Sequence, residues 1–241
     1  MRINRLNSRN IIISYPELDQ TNVFVVYGQK YTYICDTFLG PDSMEPIKMM
    51  IVEDKREQPI IIFNSHHDWD HVWGNCAFEG SIILAHTKCK EYLNENFYKD
   101  FEKNKHHSKG KVVLTYPNLL FSQSILFSED DVEFFFTPGH TGDSASCYDK
   151  KTRTLYVGDN LEDPIPYIQY KNLEEYIDSL NKYIGINSEL IITGHGEVGS
   201  IDLLNSNLKY IKSLYKNEKI DDSTWSDEIK ERHELNMTKL K

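Results

Sequence analysis

The chain has 241 residues, 39% hydrophobic and 27% charged, with a formal net charge of −10. That length and apolar fraction fit one globular domain with a substantial core, and the acidic balance disfavours nucleic acid as a partner, because phosphate binding wants a basic face. No run approaches the roughly 20 apolar residues that cross a bilayer, residues 1–10 lack the apolar segment of a secretory leader, and four scattered cysteines suit neither a disulfide framework nor a zinc knuckle, so a reducing cytoplasm is expected.

Residues 22–38, NVFVVYGQKYTYICDTF, set two β-branched and aromatic runs around Gly28-Gln29-Lys30, which predicts a β-hairpin. Asp42 or Ser43 is placed to cap a helix carrying Ile47, Met50 and Ile51 on one side. PIIIF (59–63) reads as a short buried strand and SIILAH (81–86) as the next, with a helix from about Thr87. This alternation predicts a layered α/β architecture. Residues 88–130 are less regular. KNKHHSKGK (103–111) reads as a solvated basic loop, and the aromatics around it (Tyr92, Phe97, Tyr98, Phe101, Tyr116) fit a helix packed on the body better than a lid over a pocket. VEFFFTPG (132–139) resumes the strands, and SASCYDKKTRTLYVGD (144–159) predicts a second hairpin turning at Asp149-Lys150-Lys151. A helix over 172–183, a strand over 189–193 and a helix over 198–216 follow, the last from the spacing of Ile201, Leu204, Leu208 and Ile211. The polar tail, 219–241, reads as a loosely docked helix.

The densest chemistry lies in NSHHDWDHVWGN, residues 64–75. With residues 66–68 extended, His66 and Asp68 project to one side and His67 to the other, which leaves His67 structural or solvated. A helix starting just after places Asp70 and His71 in its first turn. One loop then offers two pairs of imidazole and carboxylate donors, suited to zinc, iron or manganese. Three more donors stand at the ends of predicted strands beside glycine: His140 in TPGHTG, Asp159 in VGDN and His195 in TGHGE. Strand ends on one edge of a layered sheet converge, and glycine lets backbone approach closely. A satisfied core histidine explains one such position; it explains the whole set poorly. His86 reads as such a core histidine. His106, His107 and His233 read as loop or tail residues, and Cys147 as a packed strand residue.

The set resembles the metallo-β-lactamase-fold superfamily over about residues 20–200, with His66-His67-Asp68-Trp69-Asp70-His71 standing for the family's His-x-His-x-Asp-His and His140, Asp159 and His195 following in the family's order. The resemblance implies an α/β, four-layer αββα sandwich: a single domain over 1–241, with its core at about 20–200 and a C-terminal helical extension. It implies one or two divalent metal ions. His66, Asp68 and His140 would hold the first, Asp70, His71 and His195 the second, and Asp159 both. Asp36 would orient a ligand by hydrogen bonding or, as the competing reading, simply cap a strand end. Asp68 stands where the family usually has histidine. The carboxylate makes the centre one unit more negative, a weaker Lewis acid, and shifts preference toward harder metals; it also admits a weak first site with one metal bound in practice.

The function implied is hydrolysis of an ester, lactone, thioester, phosphodiester or related bond of a small molecule by a metal-activated hydroxide, with Asp70 or Asp159 moving the proton. Asp68 keeps a rival alive: a di-iron oxidoreductase related to the flavo-diiron branch, reducing oxygen or nitric oxide with an external electron donor, since no flavodoxin-like domain follows residue 200. A metal-stabilised binding protein is the third reading. LEDPIPYIQY (161–170) is expected to line the mouth, with Tyr167 and Tyr170 orienting substrate or packing.

Overall fold

Successive residues of a strand face opposite sides of its sheet, and in this chain both sides are apolar. In β3 (Thr21–Tyr27), Val23, Val25 and Tyr27 join one buried cluster while Phe24 and Val26 join another. The computed structural model describes residues 1–241. Seven strands, β1 (Arg2–Arg5), β2 (Asn10–Tyr15), β3, β4 (Thr32–Cys35), β5 (Ile60–Asn64), β6 (Ile82–His86) and β7 (Leu119–Phe121), form one sheet in chain order. The second sheet has the order β12-β11-β10-β9-β8, built from β8 (Ser124–Phe127), β9 (Val132–Phe136), β10 (Ala145–Asp149), β11 (Thr154–Tyr156) and β12 (Leu190–Ile192). β4 through β7 pair in parallel, which explains why PIIIF and SIILAH are continuous apolar runs: parallel strands are covered on both faces.

The two sheets pack on one another through residues such as Phe24, Tyr33, Phe63, Phe134 and Tyr156. Helix α1 (Pro41–Glu53) covers the outer face of the first sheet with Met44, Ile47, Met50 and Ile51. Helices α4 (Leu173–Ile186) and α5 (Ile201–Tyr215) cover the outer face of the second. The result is the αββα sandwich. No helix is long and apolar enough to cross a membrane.

Both hairpins, the strands over 60–64 and 82–86, and the helices from Thr87 and over 201–215 form within a few residues of where the periodicity places them. Four strands carry too little pattern to stand out: β1 and β7 are short and exposed or half-exposed, β8 alternates weakly, and β2 is a bare IIIS run after a polar segment. Helix α1 is capped by Gly40 with Pro41 at its first position, not by the Asp42 or Ser43 side chain. Helix α3 (Thr87–Asn104) takes the packed alternative: Cys89, Leu93 and Phe97 sit against Val72, Trp73 and Ala85, while Tyr98 is 71% exposed. The tail needs correction. Its helix α6 (Asp227–Leu240) is firmly docked through two buried polar residues, Arg232 and Asn236. Asn236 accepts from Ile168 N at 2.9 Å and donates to Pro166 O at 2.8 Å, so the helix grips the loop that follows Asp159.

Candidate metal centre

Strand ends deliver the seven donors. β5 ends at Asn64 and leads into His66 and Asp68; the single turn α2 (Trp69–Val72) then presents Asp70 and His71. His140 follows β9, Asp159 sits in a short 3-10 turn after β11, and His195 follows β12. Two glycines make the approach sterically possible. Gly158 has φ +54°, and a β-carbon on Gly194 would overlap Asp159 Oδ1 and crowd His71. The structure brings all seven residues together.

Each of the four histidines spends its Nδ1 on the surrounding protein. His71 Nδ1 donates to Asp36 Oδ2 at 2.9 Å, His140 Nδ1 to Tyr167 O at 3.0 Å and His195 Nδ1 to Leu18 O at 2.8 Å. Ser65 Oγ already donates to Asp36 Oδ2 at 2.6 Å, so His66 Nδ1 is the donor in its 2.9 Å bond to Ser65 Oγ. Those partners assign the proton to Nδ1 and leave four Nε2 lone pairs aimed inward. The inward atoms meet the carboxylates. Asp159 Oδ2 lies 3.7 Å from His66 Nε2, 3.3 Å from His71 Nε2, 3.9 Å from His140 Nε2 and 3.4 Å from His195 Nε2. Asp68 Oδ2 is 3.2 Å from His140 Nε2, and Asp70 Oδ2 is 3.2 Å from His195 Nε2.

Ligand atoms gather within 4.8 Å of one another in the groups His66/Asp68/His140 and Asp70/His71/His195, and also in Asp36/His66/His71. The third group is a support. Asp36 accepts from Ser65 N and Oγ, His71 Nδ1 and Tyr156 OH, which leaves its carboxylate fully engaged. It does so from the left-handed backbone region, φ +64°, a conformation Asp tolerates better than most residues. His66 Nε2 and Asp159 Oδ1 are buried without any hydrogen-bond partner. Such orphans cost about 1–3 kcal/mol each unless something fills the space between them, and a divalent cation would satisfy both. The donor chemistry fits zinc, iron or manganese.

Charge tells the same story. Burial lowers the basicity of His71 and His195, yet the charge of Asp159, with that of Asp70, holds both well above the ordinary histidine value. His140 rises to about 9 against the effect of burial, through its hydrogen bond to Asp68 and the charge of Asp159. Burial pushes the carboxylates up, but the histidines more than offset it and keep Asp68 and Asp159 well below the usual range. The cluster draws positive charge, for which protons and metal compete.

Several neighbours carry no sequence signal. His67 takes the structural of its two expected roles: it is packed and paired, with Nδ1 3.0 Å from the buried Asp143 Oδ1. Burial lowers its pKa and Asp143 raises it, to about 9 on balance. Gln169 Nε2 donates to Asp68 Oδ2 at 2.8 Å. Tyr156 and Ser65 act through Asp36. Only their places at strand ends beside ligands could have singled them out. His86 is the expected core histidine, bonded to Ser122 O and stacked on Phe136, and Cys147 is buried in β10. His233 pairs with Tyr210. Tyr170 is turned to Glu175 and takes no part in the cavity, whereas Tyr167 lines it.

A cavity of about 1180 Å³ opens over the cluster. Asp68, Asp70, His140, Asp159 and His195 form its floor; the loop after Asp159 through Glu162 and Tyr167–Gln169, the segment from Gly196 into α5, and one side of α6 form its walls.

The sequence profile of the metallo-beta-lactamase superfamily matches residues 16–195. The chain belongs to the metallo-beta-lactamase superfamily. It is 30% identical over 169 residues to a probable metallo-hydrolase, YybB, of Bacillus subtilis, covering 66% of this chain and 70% of that one. It is 28% identical over 102 residues to a hydroxyacylglutathione hydrolase of Thermosynechococcus vestitus, covering 42% of this chain; the chain spans only 34% of that relative's length. The solved DIM-1 metallo-beta-lactamase superposes with a TM-score of 0.69 at 16% identity, over 88% of this chain and 97% of that one, a likeness of fold. The superfamily match ends at His195, so α5 and α6 lie outside it.

Proposed function

We propose that the protein is a metal-dependent hydrolase acting on an ester, lactone, thioester or phosphodiester bond of a small molecule held in the cavity. The observation that carries this reading is the set of four Nε2 atoms, each freed by an outward Nδ1 bond and gathered around Asp159 Oδ2. His66, Asp68 and His140 would hold one divalent cation, Asp70, His71 and His195 a second, and Asp159 would serve both. The names of the two relatives, a probable metallo-hydrolase and a hydroxyacylglutathione hydrolase, support hydrolysis.

Bound cations of this kind supply a Lewis acid and lower the pKa of water from 15.7 toward about 7. The remaining work falls to the chain itself. Asp36 and the carbonyls of Leu18 and Tyr167 fix the imidazole planes, so little reorganisation accompanies the reaction. Asp70 and Asp159 line the cavity, and in this reading one of them would accept the attacking water's proton. Gln169 holds Asp68 in place from the loop above.

Protein loaded separately with zinc, manganese or iron, assayed against ester, lactone, thioester and phosphodiester panels, tests the proposal. His71→Ala and Asp159→Ala should each abolish turnover and cut bound metal; full metal content in either purified variant refutes the assignment. Asp68 supports a second reading, a di-iron oxidoreductase, because carboxylate in place of imidazole favours iron. Elemental analysis and optical spectra of anaerobically purified protein separate the two, and zinc without iron eliminates the redox version.

A further inference from the structure

We propose that Gln169 is a further ligand of the first cation, its amide Oε1 joining His66, Asp68, His140 and Asp159, so that the two sites are unequal and the first takes the ion of higher coordination number. The inference rests on the reading of the cluster as a metal centre and adds a donor that is neither histidine nor carboxylate.

Gln169 lines the cavity on the loop that follows Asp159. Its backbone is fixed: Gln169 N donates to His140 O at 2.8 Å, and Ile168 N beside it donates to Asn236 Oδ1 at 2.9 Å. The side chain folds back over the donors. Nε2 lies 2.8 Å from Asp68 Oδ2 and 3.3 Å from His140 Nε2, the two atoms those residues would give to the first cation. Donor atoms about 2.1 Å from one ion are spaced about 3.0–3.4 Å apart at octahedral and tetrahedral angles. Asp68 Oδ2 and His140 Nε2 are 3.2 Å apart, and His66 Nε2 and Asp68 Oδ2 are 3.6 Å apart. The amide therefore stands at the spacing of one more donor around the same ion.

An amide NH2 has no lone pair to give, whereas the amide oxygen has two. The lone pairs of Asp68 and His140 cannot serve an N–H and a cation at once, so a cation between them turns the amide. Nothing resists the turn. Oε1 accepts from no protein atom, and the last torsion of glutamine is broad and roughly two-fold. Rotation by about 180° exchanges Nε2 for Oε1 beside the same two residues. The first ion would then have His66 and His140 as nitrogen donors and Asp68, Asp159 and Gln169 as oxygen donors. The second would have His71, His195, Asp70 and Asp159, and no side-chain amide is bonded to that set. Carbonyl and carboxylate oxygens suit manganese, while four nitrogen and oxygen donors suit tetrahedral zinc. The amide is neutral, so it adds a ligand beside Asp68 without adding negative charge.

The test is calorimetric titration of the chelator-stripped full chain with manganese and with zinc, beside a crystal structure of the manganese-loaded protein. The structure should place Oε1 within about 2.5 Å of the ion between Asp68 and His140; an amide turned away from that ion overturns the proposal. Gln169→Ala should weaken manganese at one of two sites by about tenfold or more and leave the other within about twofold. Gln169→Glu keeps an oxygen donor at that point and should bind manganese at least as tightly as the unmodified protein. Manganese binding in Gln169→Ala within about twofold of the unmodified protein at both sites sinks the inference. Tighter binding in that variant does so too, because the amide would then be a stopper that competes with the cation. A glutamate variant as weak as the alanine one refutes the ligand role. The loss in Gln169→Ala should be smaller for zinc than for manganese, and the reverse order overturns the inequality of the sites. If no ion binds the unmodified chain, the metal-centre reading falls and takes the inference with it; two bound ions indifferent to Gln169 remove the inference alone.

Discussion

Asp36→Asn probes the support beneath the proposed metal centre without changing side-chain volume. Asp36 accepts four hydrogen bonds: from Ser65 N at 2.7 Å, Ser65 Oγ at 2.6 Å, His71 Nδ1 at 2.9 Å and Tyr156 OH at 2.6 Å. An amide offers one acceptor oxygen and one NH2 group. If the NH2 faces Ser65 N, two donors oppose each other and one buried N–H goes unpaired, costing about 1–3 kcal/mol of stability. If instead it faces the other three partners, the two hydroxyls can rotate but the imidazole cannot. His71 must then move its proton to Nε2, which removes the lone pair aimed at Asp159. Loss of such an outer partner weakens metal binding by about 10–100-fold, equivalent to about 1.4–2.7 kcal/mol. Zinc affinity from competition with a chelator, read beside thermal melting, is the assay. A variant that melts lower but binds zinc within about twofold of the unmodified protein would show that Asp36 only braces the strand ends, and the tautomer argument would fail.

Gly194→Ala should expel Asp159 Oδ1 from its position and cost most of the bound metal while leaving the sheets intact, as far-ultraviolet circular dichroism and elemental analysis would show. Asp130 is bonded by Lys30 N, Tyr33 OH, Gln29 N and Tyr31 N, which hold its pKa below the ordinary carboxylate value although burial works the other way. Its folded value lies below its unfolded one, so its contribution is present above about pH 4 and is lost as pH falls through the folded value; Asp130→Asn should lower neutral-pH stability by about 1–3 kcal/mol and flatten the acid limb of urea denaturation. Asn236→Ala removes the contacts to Ile168 N, Pro166 O and Tyr210 OH, and should lower stability by about 1–3 kcal/mol and speed amide exchange at Ile168.

Much of this molecule is legible in its residues because the signals are local. Alternating and continuous apolar runs mark most strands, since a strand must cover its faces wherever it lies. His66, Asp68, Asp70 and His71 share one loop, and His140, Asp159 and His195 each follow a strand beside glycine, so chain order alone nominates the seven donors. What those donors rest on is not local. The His195 ring is set by Leu18, the His140 ring by Tyr167 and the His71 ring by Asp36, partners chosen by the packing of the two sheets. The same holds for the pairing of His67 with Asp143, and for the tail helix that carries Arg232 into the cavity wall. A hydrogen bond between residues tens of positions apart leaves no period in the sequence, because its geometry exists only once the intervening elements have packed.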